Sequence, residues 1–98
     1  MNNLSFSQAE LNNLCEDQNI SYLALFGSQA RDEAINTSDV DILADFDENK
    51  SFFELAHIKF KLEDIFQKQV DLVNKKNLKD SLRPYIIKNL ITLYEKKQ

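Results

Sequence analysis

Apolar and polar residues recur along this chain with two different periods, and the switches between them mark its elements. Ser7-Gln8-Ala9-Glu10 has the form of a capping box, where a serine and a glutamate three residues on satisfy free backbone N–H groups. It predicts a helix to about Asp17, with Leu11 and Leu14 on the buried side. Residues 21–26 (SYLALF) form a nearly unbroken apolar run, the pattern of an interior strand covered on both faces, and it ends at Gly27. A short helical turn is expected after it. From Val40 to Phe46 the period is two. Val40, Ile42, Ala44 and Phe46 point one way, while Asp39, Asp41, Asp45 and Asp47 point the other, with Leu43 the exception.

The second half repeats the theme. Ser51-Phe52-Phe53-Glu54 is another capping box, opening an amphipathic helix whose core side is expected to hold Phe52, Leu55, Ile58, Leu62, Ile65 and Phe66. Phe53 and Phe60 are also expected in the core. Residues 70–73 (VDLV) read as a third strand. A last helix is expected around residues 78–90, with Pro84 marking either its true start or a kink. Residues 91–94 (ITLY) then form a terminal strand or a docking segment. The order predicts an α/β (α+β) fold with a small sheet and helices mainly on one face.

Length narrows this further. The 98 residues suit one domain, 1–98, with one modest core, and 43% hydrophobic residues agree with that. No apolar run approaches the ~18 residues of a membrane span, and the N-terminal stretch lacks the pattern of a signal peptide. A single cysteine, Cys15, excludes a disulfide framework, so the expected location is cytoplasmic. The net charge of −4 speaks against direct nucleic-acid binding. His57, alone within the long helix, reads as structural.

Candidate chemistry begins with the aspartates, which strands disfavour. Asp39 and Asp41, two residues apart on one strand face, have Cα atoms about 6.5 Å apart. Charges at that range repel by ~3 kcal/mol at an effective dielectric near 20, and a cation between them reverses the sign. Asp71 repeats the pattern on another strand. If the two strands are neighbours, three carboxylates converge. Such an oxygen-only set suits Mg²⁺, and a pair of these ions can clamp both oxygens of a phosphoryl displacement. Asp39-Val40-Asp41 alone reads as ordinary solvated surface, as Asp45 and Asp47 do. Gly27-Ser28 alone reads as an ordinary strand-to-helix turn, although glycine permits close approach of a phosphate and a following turn offers N–H groups to an anion. Together, the glycine-serine pair, ten intervening residues and Asp-x-Asp place an anion cradle beside a metal site.

Residues 25–31 (LFGSQAR), 38–43 (SDVDIL) and 70–73 (VDLV) resemble the minimal nucleotidyltransferase (MNT) family, within the polymerase-β-like nucleotidyltransferase superfamily. The resemblance covers roughly residues 21–94 and implies that superfamily's fold, with a small mixed sheet. It implies that Asp39 and Asp41 bind two magnesium ions, that Asp71 completes the site and helps deprotonate the acceptor, and that Gly27 and Ser28 hold the triphosphate of ATP. Arg31 either contacts phosphate or covers the turn and pairs with Asp32 or Glu33. Gln29 and Asp32 depart from the arginine and glycine common in the family: Asp tolerates a left-handed backbone, so the turn is expected to survive, while the loss of a basic residue at Gln29 bears on nucleotide affinity. The resemblance also implies an antitoxin, similar to MntA, that transfers AMP to tyrosine of a HEPN-domain ribonuclease toxin. A binding-only antitoxin and a homodimeric nucleotidyltransferase of small molecules are the alternatives.

Overall fold

The computed structural model describes residues 4–30 and 39–97. Helix α1 (Gln8–Asp17) starts where Ser7 Oγ accepts from the Glu10 N–H at 3.2 Å, and strand β1 (Ile20–Phe26) follows. A one-turn helix α2 (Gly27–Ala30) leaves β1, and strand β2 spans Val40–Phe46. Helix α3 (Phe52–Phe66) carries the full reciprocal box: Ser51 Oγ accepts from Glu54 N–H at 3.1 Å, and Glu54 Oε1 accepts from Ser51 N–H at 2.9 Å. Strand β3 (Val70–Asn74), a 3-10 turn (Lys75–Asn77), helix α4 (Arg83–Ile87) and strand β4 (Ile91–Glu95) complete the described chain.

The sheet is mixed, in the order β3-β2-β1-β4. β1 pairs antiparallel with both β2 and β4, while β2 and β3 are parallel. Parallel neighbours need a crossover, and α3 supplies it. α1 and α3 cover one face. Their Leu11, Cys15, Ile58, Leu62 and Phe66 join Leu23, Leu25, Val40, Ile42, Ala44 and Val70 in one buried cluster. Burial pushes the Cys15 thiol up to about 12, with Glu16 adding to it, so this group stays a protonated core residue.

Leu43 is buried because the sheet's other face is covered too, though only in part. Ala24 and Leu43 are register partners there, both fully buried outside the main cluster, and the 3-10 turn packs beside β2 with Leu78 buried just after it. Asp45 of β2 and Asp47 just after it have local roles. Asp45 accepts from the Phe46 N–H at 3.0 Å, and Asp47 pairs with Lys96 at 2.7 Å.

Two expectations need correction. Phe52, Phe53 and Phe60 are not core: they are 79%, 82% and 61% exposed. Phe52 lies in the first turn of α3, directly after the cap and before the buried stripe of Ile58, Leu62 and Phe66 begins. Phe60 follows Ile58 by two positions, about 200° around the helix, and so faces away from the sheet. The last helix is also much shorter than residues 78–90. Pro84 stands in its first turn, so of the two roles left open for that proline, the start is the one observed.

No described helix is long and apolar enough to cross a membrane. Leu62→Ala should lower the unfolding free energy by about 2–5 kcal/mol in chemical denaturation, since Leu62 is fully buried. Phe53→Ala should stay within about 0.5 kcal/mol of the parent in the same assay.

Candidate active site

The chemistry-bearing residues gather at one end of the sheet. β2 and β3 both start there, and β1 ends there. The entry into β3 is tightly fixed. Gln67 closes α3 in a left-handed conformation (φ 55°), and the Val40 N–H donates to the Gln69 carbonyl at 2.8 Å. The Val70 N–H donates to Glu63 Oε2 at 3.0 Å, and Lys59 Nζ donates to the same oxygen at 3.1 Å. The Val70 N–H, and after it Lys59, hold the Glu63 carboxyl below the usual glutamate range.

These contacts fix the register Val40↔Val70 and Asp41↔Asp71. Val40 and Val70 are buried toward the helices, so Asp41 and Asp71 project from the opposite face. They stand side by side on strands about 4.8 Å apart. Asp41 is half-buried and Asp71 exposed, while Asp39, also exposed, comes immediately before β2.

The register of β1 on β2 brings in the glycine. Phe26 is the antiparallel partner of Asp41, and Gly27 turns the chain away at φ +71°, in the left-handed region. A Cβ on Gly27 would overlap the Asp41 carboxylate, lying 3.1 Å from its Cγ and 3.3 Å from its Cβ. Strand-end backbone and carboxylate therefore touch, and only glycine leaves room for both. Ser28 follows within α2. Arg31 and Asp32 lie outside the described residues.

The structure thus brings Gly27, Asp41 and Asp71 together, with Asp39 adjoining. Among the described residues no three Asp, Glu, His or Cys side chains form a group that holds an ion unaided. The donor set nevertheless fits magnesium, which takes one or two carboxylates and completes its shell with water and substrate phosphates. A cleft of about 560 Å³ between α1 and α3, lined by Glu10, Leu14, Lys61 and Ile65 among others, lies on the helical side. It has no part in this site. His57 is exposed on α3, away from these groups. Glu63 carries no motif that would have singled it out; its role appears only once α3 and β3 are packed together.

An acidic pair against a strand-terminal glycine, on a small mixed sheet backed by two helices, is suited to enzymes that handle phosphoryl groups through metal ions. Comparison with known proteins fixes the class. The family described as "Polymerase beta, Nucleotidyltransferase" matches residues 9–98, and the chain belongs to that family. The protein adenylyltransferase MntA of Thermococcus cleftensis is 33% identical over 87 residues, which cover 89% of this chain and 88% of that protein. A toxin–antitoxin crystal structure with AMP-PNP has the same fold, with a TM-score of 0.77 at 19% identity over 93% of this chain and 75% of that one. So does a complex of a tri-AMPylated Shewanella oneidensis HEPN toxin with an MNT antitoxin, with a TM-score of 0.68 at 19% identity over 91% and 70%.

Two outcomes follow from this geometry. Gly27→Ala should cost about 1–2 kcal/mol from backbone strain alone, and more from the overlap with Asp41, read as a lower denaturation midpoint. Glu63 has a folded pKa below its unfolded value near 4.3, so its stabilisation is complete above that pH and is lost as the pH falls through the folded value. Glu63→Gln should therefore be less stable than the parent near neutral pH, with the gap closing under acid in pH-dependent denaturation.

Proposed function

We propose that this chain transfers AMP from ATP to a tyrosine hydroxyl of a HEPN-domain toxin and thereby acts as the toxin's antitoxin. The observation that carries the reading is the register of Asp41 against Asp71, with Gly27 closed over the Asp41 carboxylate. The similarity to an MntA adenylyltransferase, and to an MNT antitoxin seen with an AMP-modified HEPN toxin, supplies the donor, the acceptor and the partner.

Asp39, Asp41 and Asp71 would hold two magnesium ions, with ATP phosphates and water as the remaining ligands. Bound there, the metal neutralises charge on the phosphates and on the departing pyrophosphate. The chain's own groups do the rest. The backbone at Gly27, with Ser28, cradles the triphosphate, which fits a turn that no side chain can fill. Asp71, exposed at the rim, faces the acceptor and takes the phenolic proton. The tyrosine oxygen bonds to the α-phosphorus, the bond from that phosphorus to the β-phosphate oxygen breaks, and pyrophosphate leaves. Arg31, next in sequence after Ala30, would contact phosphate.

The test is incubation with α-labelled ATP, Mg²⁺ and the cognate HEPN-domain protein. Label should appear on the partner's tyrosine, vanish with EDTA and return with added Mg²⁺. Asp39→Asn and Asp41→Asn should each reduce labelling by at least about 100-fold while leaving the thermal midpoint nearly unchanged. Full labelling by either variant would refute the assignment, and neutralisation of the toxin without any label would leave a binding-only antitoxin.

A further inference from the structure

The segment from the 3-10 turn to the start of β4 differs from the rest of the surface in two ways. It exposes four large apolar side chains within ten residues: Leu82 at 49%, Tyr85 at 79%, Ile87 at 40% and Ile91 at 42%. It is also basic in an acidic protein. Residues 75–91 hold five Lys or Arg and one acidic residue, whereas the other 81 residues hold seven and fifteen. An apolar patch with a polar, mainly basic rim marks an interaction surface, and Tyr and Arg are among the residues enriched at binding hot spots.

Topology places the end of this patch, Ile91, at the sheet end that carries the chemistry. β4 runs antiparallel to β1, so its first residue lies at the end where β1 finishes. Ile91 pairs with Leu25, and the next residue of β1, Phe26, pairs with Asp41. The other exposed apolar group is placed oppositely. Phe52 and Phe53 open α3 after β2 has run to the far end of the sheet, where Phe46 meets Ile20. Of these two groups, residues 82–91 are the one that leads into the sheet end carrying the acidic pair.

We propose that residues 82–91 form the surface on which the acceptor protein docks, through an apolar and acidic face of that protein. A second copy of this chain is a poor occupant, because a two-fold contact would set the basic segment against itself. An acceptor must instead bring its hydroxyl to Asp41 and Asp71, and so must cover the sheet end that this patch borders. Tyr85, the most exposed of the four, is the central anchor, with Lys88 steering the approach; Arg83 lies 3.9 Å from Asp80 and is partly neutralised by it. The inference rests on the acceptor reading above, but its test separates the two.

Binding of the cognate HEPN-domain protein is measured by calorimetry without ATP, and transfer is measured separately with labelled ATP. Tyr85→Asp should weaken binding about 10–30-fold, while Tyr85→Phe stays within about 3-fold. Lys88→Glu should slow association and reduce its salt dependence. Phe53→Asp should bind as the parent does, and all four variants should keep the parent's affinity for Mg·ATP. Parent-like binding by both Tyr85→Asp and Lys88→Glu, or a defect confined to Phe53→Asp, would overturn the docking surface. So would capture of single-stranded RNA by the patch with no effect on partner binding. A Tyr85-sensitive complex that takes no label would overturn the acceptor reading alone, and absence of any complex would overturn both.

Discussion

The parallel pairing of β2 with β3 is the constraint on which everything else in this molecule depends. Val40 against Val70 buries two apolar side chains under the helices, and the next pair along the ladder is forced to the other face, where it is Asp41 against Asp71. A slip of one residue would turn the valines outward and the carboxylates into the core, so the register is set by hydrophobic burial. Two carboxylates on adjacent strands repel one another, and the buried valines and the Glu63 clamp on Val70 hold the strands together against that. A divalent cation removes that repulsion. Burial of the valines thus holds in place a pair of carboxylates suited to the cation of the proposed function.

β1 adds the second half of the site through a register of its own. With Phe26 opposite Asp41, the next residue has to leave the strand immediately over a carboxylate, in a left-handed conformation. The only glycine in the chain stands there. In the proposed function the same contact would give the triphosphate a backbone to approach and Asp41 a fixed wall, so the proposed anion cradle and metal ligand are two sides of one packing arrangement.

Much of this was legible in the residue pattern, because period and capping are local properties. Both serine caps, the alternation of β2 and the apolar run of β1 were read correctly for that reason. Asp39, Asp41, Asp71 and Gly27 could be named as candidates, but their convergence depended on strand order, which no local signal carries. Helical periodicity gave the buried stripe of α3 from Ile58 to Phe66, yet it could not show where the stripe runs out, and Phe52 was misplaced accordingly. Leu43 broke the alternation because it is buried on the second face, where the 3-10 turn packs beside β2, a tertiary fact invisible from β2 alone. Glu63 looked like an ordinary helix glutamate until its carboxylate was seen to accept the Val70 N–H.

Diffraction from crystals grown with Mn²⁺ and a non-hydrolysable ATP analogue tests the central claim most directly. Anomalous signal should appear between the carboxylates of Asp41 and Asp71, with the triphosphate lying along the backbone at Gly27. Manganese bound elsewhere, or a nucleotide seated away from this end of the sheet, would contradict the account.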